Sequence, residues 1–251
     1  MKTFFIEEQR VYLALREAGL EVNGVYDVGS STGRWSSDLS QVFAEAHFYL
    51  FEPLFDFKPV YQQRFAKFVK KRVNFHLFKV ALGGRDGATE IYSDRAGFSA
   101  SILPVQSSEF LDEHFTVIVN RLDTLISKHH LPRPDVLKID VQGAELEVLR
   151  GAGILIKEIQ IIQAEVWFQR AYGSDTPLFY EVYDFLNGFG FSLMELGGLY
   201  YNAKRELSAC DAYFVQGTVL ERLAPKLTKD SLTMTTNPMF RKRKFWRSFS
   251  G

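Results

Sequence analysis

The stretch Val25-Tyr-Asp-Val-Gly-Ser-Ser-Thr-Gly33 decides the reading of this chain. A short apolar strand at 24–28 runs into a turn bracketed by Gly29 and Gly33, and a helix opens behind it. Gly29 lets the backbone turn tightly without a Cβ, and Gly33 lets a ligand or the next strand approach the first helical turn. Open α/β sheets bind ligands at the carboxyl ends of their strands. The turn is therefore expected to present backbone N–H groups to a ligand, with Asp27 facing the same crevice. Its Gly-x-x-x-Gly spacing is not the Gly-x-Gly-x-x-Gly of a dinucleotide turn, and no Gly-x-x-x-x-Gly-Lys-Ser/Thr phosphate loop occurs in the sequence. An acid before the turn suits a positively charged ligand better than a phosphate. The plain alternative is a bracketed turn that serves only tight packing.

Outward from this stretch, strands and helices alternate. Residues 4–18 read as an amphipathic helix, with Phe5, Val11, Tyr12, Leu15 and Ala18 near one face and Gly19 as its stop. Strands are expected at 24–28, 47–51, 74–80, 134–140 and 158–166, with helices at 33–44, 55–69, 122–130, 144–149 and 178–187. Such alternation needs crossover connections, which give a mostly parallel sheet covered by helices on both faces. Stretches 191–196 and 211–215 have no helix between them and read as an antiparallel hairpin at one edge. Residues 87–119 break the rhythm with two strand-like stretches, 88–92 and 115–119, and read as an insertion near the sheet edge. The expected organisation is an N-terminal helix at 1–20, one domain at 21–220 and a basic tail at 221–251.

Successive strand ends carry chemistry. Phe51-Glu52-Pro53 puts a carboxylate at the end of the second strand, where it can accept hydrogen bonds from both hydroxyls of a ribose. Ala81-Leu82-Gly83, read as the end of the third strand, offers small residues for an adenine ring. Asp140 closes the fourth strand, and Glu145 follows one helical turn beyond Gly143, where a helix dipole also favours an acid. Glu165 sits in an apolar fifth strand, a costly place for a charge unless it is paired, which marks it as a site candidate.

Composition narrows the classes. The 251 residues are 46% apolar and 24% charged, with 30 basic residues against 30 acidic, enough to build a core without disulfides or metal. Cys210 is the only cysteine, so an internal disulfide and a cysteine-rich zinc module are excluded and a cytoplasmic setting is expected. Glu7 and Glu8 interrupt the apolar run that a signal peptide needs. The five histidines lack metal-ligand spacing, and no Gly-x-Ser-x-Gly elbow is present. Arg241, Lys242, Arg243, Lys244 and Arg247, interleaved with aromatics, could touch nucleic acid or an anionic membrane, or simply form a frayed, solubilising end.

Together Asp27-Val-Gly-Ser-Ser-Thr-Gly33, Phe51-Glu-Pro53, Ala81-Leu-Gly83, Arg121-Leu-Asp-Thr-Leu125, Leu137-Lys-Ile-Asp-Val-Gln-Gly-Ala-Glu145 and Glu165-Val resemble the FkbM family of S-adenosylmethionine-dependent methyltransferases. The resemblance implies a Rossmann-like class I methyltransferase fold of seven strands with a reversed edge hairpin. It implies that Asp27, Gly29, Ser30, Thr32 and Gly33 line the methionine end of S-adenosylmethionine, that Glu52 and Pro53 meet the ribose, and that Ala81 and Leu82 border adenine. Asp140 would stand at the methyl-transfer face. Position 142, often Glu in that family, is Gln here. The implied reaction is O-methylation of a sugar, lipid or secondary metabolite, with Asp140 the first candidate for the base, Glu165 the second and Glu145 a further one. Residues 94–114, with Phe98, Ser99 and Ser101, are expected to shape the acceptor pocket. A nicotinamide or nucleotide-sugar enzyme and a noncatalytic module are the competing classes.

Overall fold

The computed structural model describes residues 9–69, 72–95, 99–103 and 113–227. Its first half runs α1 (Arg10–Glu17), β1 (Gly24–Val28), α2 (Arg34–Leu39), β2 (His47–Phe51), α3 (Pro59–Phe68) and β3 (Phe75–Phe78). A small-sheet region follows, β4 (Ala81–Leu82), β5 (Gly87–Ser93), β6 (Ala100–Ser101) and β7 (Glu113–Asn120). The chain then continues through α4 (Leu122–His129), β8 (Val136–Ile139), α5 (Glu145–Ala152), β9 (Ile161–Trp167), α6 (Phe179–Gly188), β10 (Phe191–Tyr201), β11 (Leu207–Gln216) and α7 (Gly217–Leu223).

The large sheet has the order β10-β11-β9-β8-β1-β2-β3. β1, β2, β3, β8 and β9 are parallel, while β11 lies antiparallel to both β9 and β10. From β1 the chain steps outward through β2 to β3, then returns to build on the other side with β8. The strand order thus reverses between β1 and β8, which is where a ligand crevice opens in such folds. Every residue of β1, β8 and β9 is buried, as central parallel strands covered on both faces require.

Side chains alternate across the sheet. Tyr26, Val28, Leu137, Ile139 and Ile162 pack with α4, α5 and α6, whereas Val25, Val136, Ile161 and Val215 pack with α1, α2 and α7. The same alternation sends Asp27, Lys138 and Gln163, register partners on β1, β8 and β9, onto the second face as a buried polar row. Tyr12 of α1 reaches that row, donating to the Gln163 Oε1 at 2.9 Å. The expected domain edge at residue 220 falls inside α7, whose Val219 and Leu223 are buried in the same core.

Strands β4 to β7 build a sheet of their own, in the order β4-β7-β5-β6, rather than lengthening the large one. Ala81 and Leu82, expected at the end of the third strand, form β4 and pair with Val119 and Asn120 of β7. Ile91, Val117 and Val119 pack with Leu54 and Tyr61, which moors this sheet over the β2–α3 connection. Lys58 fastens the same junction, with its Nζ donating to the Asp94 carbonyl at 2.8 Å and to the Glu113 carboxylate. No helix among the described residues is long and apolar enough to cross a membrane.

Candidate functional site

At the rim of the large sheet the β1 and β8 loops touch. Gly29 has φ +74°, and a Cβ there would lie 1.8 Å from the Asp140 carbonyl oxygen, so only glycine lets the two loops close. The N–H groups of the turn do not face a ligand as expected. Gly29 and Ser30 both donate to the Phe51 carbonyl at 3.0 and 3.1 Å, Ser31 donates to Glu52 Oε2 at 2.8 Å, and Gly33 donates to the Ser30 carbonyl at 2.8 Å. These donors tie β1 to β2. Gly33, expected at the cofactor, has φ +72° and a Cβ position 2.8 Å from Val69 Cγ2, so it serves helix packing. Gly29, Ser30, Ser31 and Thr32 still line a crevice, and the buried Ser30 Oγ has no hydrogen-bond partner among the described residues.

On the β2 side lies a cavity of about 220 Å³ walled by Gly29, Ser31, Glu52, Pro53, Tyr61, Ala81, Leu82 and Asp140. Ala81 and Leu82 therefore reach the site although they belong to the small sheet, which also contributes Ile91 and Ala100, with Ile102 just beyond β6. Glu52 is the buried acid in this wall. Its Oε2 accepts from the Ser31 N–H and its Oε1 from the Leu54 N–H at 2.9 Å, which fixes the carboxylate while leaving each oxygen a free lone pair. Burial pushes its pKa up to about 7, against the pull of those two donors. Tyr61 stands beside it, its hydroxyl pKa raised by burial and by the Glu52 charge.

A second cavity, of about 330 Å³, opens toward β9 and β11 and shares Gly29, Ser31 and Asp140 with the first. Ser30, Thr32, Trp35, Lys138, Glu165, Tyr200 and Asp211 line it. The Lys138 ammonium lies 3.3 Å from Asp27 Oδ1, from Asp140 Oδ2 and from the Gly29 carbonyl. Burial alone would lower its pKa, but Asp27, Asp140 and Asp211 outweigh that and raise it, so Lys138 stays charged. Asp27 is fully buried and also accepts from Ser36 Oγ at 2.7 Å. It therefore lies beneath the cavity floor, not in the wall where the sequence put it, and its charge is spent on Lys138.

Asp140 carries the more exposed carboxylate, with 38% of its side chain accessible. Gln142 reaches from it to Glu165: its Nε2 is 2.8 Å from Asp140 Oδ1 and 2.8 Å from Glu165 Oε2, and its Oε1 accepts from the Tyr172 hydroxyl. Burial, then the Asp140 and Glu145 charges, hold the Glu165 pKa well above the usual carboxylate range. Glu145 does not join this group in either cavity wall. It is fully buried, and its Oε1 accepts from the N–H groups of Val141 at 3.2 Å and Gly143 at 3.0 Å, bracing the loop that carries Asp140. Burial pushes its pKa up to about 7.

Sequence reasoning missed Lys138, Tyr61, Trp35, Tyr172 and Asp211. A lysine amid the apolar residues of β8 was the available signal; the others needed tertiary placement. Ser101 is fully buried and accepts from the Leu103 N–H at 3.1 Å, so it closes its own turn, while Ser99 bonds the Tyr172 hydroxyl. Phe98 and the basic residues Arg241, Lys242, Arg243, Lys244 and Arg247 lie outside the described residues. Among the described residues no three His, Cys, Asp or Glu side chains gather as a metal site. Cys210 is buried in β11, and burial pushes its thiol up to about 12.

Residues 27–193, two thirds of the chain, match the Methyltransferase FkbM domain. The chain belongs to the FkbM methyltransferase family. No curated protein matches it in sequence. Among solved structures, it is similar to a methyltransferase FkbM from Methylobacillus flagellatus at 16% identity and a TM-score of 0.49, over 82% of this chain and 47% of that one. This FkbM chain thus spans about half the length of that relative. It is also similar to a magnesium protoporphyrin IX methyltransferase from Synechocystis (14% identity, TM-score 0.48, 84% and 81% covered). A precorrin-6y C5,15-methyltransferase from Geobacter metallireducens shows 13% identity and a TM-score of 0.42, with 86% and 92% covered.

Proposed function

We propose that this protein transfers a methyl group from S-adenosylmethionine to a hydroxyl of a sugar, lipid or secondary metabolite. The observation that carries this reading is that Asp140 stands in the walls of two adjoining cavities, one suited to a nucleoside and one polar. S-adenosylmethionine is the methyl donor, supplying an electrophilic methyl on a sulfonium. Glu52, with a free lone pair on each oxygen, is the acceptor for the ribose hydroxyls, and Ala81, Leu82 and Ile102 give the base an apolar wall. The carbonyls and hydroxyls of the 29–32 turn face the methionine end.

Methyl transfer needs chiefly an acceptor oxygen held in line and near attack distance. Asp140 is the base for the acceptor proton, because it is the reachable carboxylate at the junction and sits beside the Lys138 ammonium. Glu165 is the second candidate, disfavoured because burial and the Asp140 charge favour its protonated form. A cytoplasmic setting belongs to the same proposal, supported by a single, buried cysteine. Calorimetry with S-adenosylmethionine and S-adenosylhomocysteine tests the reading: both bind at micromolar concentration if it is right, and folded protein giving no heat with either defeats it. Mass spectrometry of a cell extract incubated with the protein and methyl-labelled cofactor then identifies the acceptor.

A further inference from the structure

We propose that Gln142 is a positioning residue for methyl transfer, its amide nitrogen holding Asp140 and Glu165 as one unit while Tyr172 braces the amide from its other end. The inference rests on the reading of Asp140 as the base. An amide nitrogen carries two hydrogens, and here one is directed at Asp140 Oδ1 and the other at Glu165 Oε2, both at 2.8 Å. The Tyr172 hydroxyl donates to Oε1; a flipped amide could still donate to that hydroxyl, but its oxygen would then face the Asp140 and Glu165 carboxyl oxygens and both would lose their amide donor. Tyr172 is itself fixed, edge-on to Trp167 with ring centroids 5.2 Å apart and bonded to Ser99 of the small-sheet region. The backbone is shaped for this reach, since Gln142 has φ +56° and Gly143 φ +98°.

The residue type matters because a glutamine only donates to both acids. A glutamate in the same place would bring a third carboxyl within hydrogen-bonding distance of two acids, one of which, Glu165, is already pushed toward its protonated form. The other charged groups facing the pair are Lys138 from β8, Glu145 from α5 and Asp211 from β11, with Asp27 of β1 behind Lys138 and the hydroxyls of Tyr172 and Tyr200 at the border. Only Lys138 among them is cationic, and it is shared with Asp27. The amide therefore supplies the two carboxylates with donors without adding charge, and keeps Asp140 aimed at the junction of the cavities.

The test follows the carboxyl carbons of Asp140 and Glu165 by ¹³C NMR titration of the full chain, assigned with Asp140→Asn and Glu165→Gln. Gln142→Glu is expected to raise the apparent midpoints of the pair by about one pH unit or more, and Gln142→Ala to raise them because donors to the charged forms are lost. Tyr172→Phe leaves the charge count alone and moves them by less than about half a unit. With the acceptor from the extract experiment, the acid limb of the kcat profile shifts with the midpoints in the Gln142 variants, and kcat falls roughly tenfold with KM nearly unchanged. Gln142 variants that bind S-adenosylhomocysteine like the parent and titrate like it overturn the proposal. If Gln142→Glu does not fold, Gln142→Ala decides. Failure of the parent itself to bind S-adenosylhomocysteine would instead strike the cofactor reading, leaving the titration to decide the coupling.

Discussion

The cavity beside β2 and the cavity beside β9 share Gly29, Ser31 and Asp140 and differ in most other respects. The first is walled by apolar groups from two sheets around Glu52, whose place is fixed by two backbone N–H groups. The second is walled by carboxylates, a lysine and aromatic edges, held by ion pairs and side-chain hydrogen bonds within the large sheet. The difference follows from what lies next to each strand end. Toward β2 the turn spends its N–H groups on backbone, so the wall is set by main-chain geometry. Toward β9 the period-two alternation delivers Asp27, Lys138 and Gln163 to one face, so the floor is set by side-chain charge.

Gly29→Ala should break both halves at once, because its Cβ would strike the Asp140 carbonyl. A loss of more than about 4 kcal/mol in urea unfolding, or failure to fold, is expected. Lys138→Met tests the charged half: it leaves Asp27 buried without its cation, and should cost about 3 to 5 kcal/mol by the same measurement. A near-neutral result would mean that the floor does not depend on that ammonium. Asp140→Asn should lower kcat by roughly a hundredfold while S-adenosylhomocysteine affinity stays within a few-fold, since shape is kept and only the proton acceptor is lost. Glu52→Ala should reverse that pattern, weakening S-adenosylhomocysteine by about ten- to a hundredfold in calorimetry, with the Ser31 and Leu54 N–H groups left unpaired.

The smallest effect concerns pH. Glu52 and Glu145 have folded pKa values pushed up to about 7 from an ordinary 4.5, so between those values the native state binds more protons than the unfolded chain. Their contribution to stability is fully present below pH 4.5 and is lost as pH rises through 7. Glu165, also raised by burial, adds to this loss, while His76, lowered from 6.5 by burial, opposes it; Asp86 and Asp123, with depressed pKa values, lose their contribution only below their ordinary 3.8, outside this window. Unfolding free energy should fall as pH rises from 5 to 7, Glu52 and Glu145 each contributing up to about 1.4 kcal/mol per pH unit. Glu145→Gln should flatten that slope; an unchanged slope would show that Glu145 does not titrate there.

Much of the large sheet was legible because its strands announce themselves. Val25 to Val28, His47 to Phe51 and Val136 to Ile139 are short apolar runs whose carboxyl ends carry Gly29, Glu52 and Asp140, and these residues do converge. The ends of Ala81-Leu82 misled because a two-residue strand after Val80 leaves no periodicity to read, and its partner β7 lies more than thirty residues on. Asp27 misled for a different reason. Sequence shows an acid at a strand end but not that Lys138 is its register partner, so the acid looked available when it was already neutralised. Gly33 fitted both ligand approach and tight packing, and only the position of Val69 separates them.

β10 forms an outer border of the large sheet, and Tyr200, half-exposed on that strand, stands in the wall of the second cavity beside exposed Leu199 and Tyr201. Substitutions along this border touch neither the Gly29–Asp140 closure nor the Glu52 anchor. If the proposed reading holds, the fold separates a compartment fixed by main-chain geometry from a border free to vary, and substitutions at Leu199, Tyr200 or Tyr201 should alter acceptor preference while S-adenosylhomocysteine affinity stays as it is.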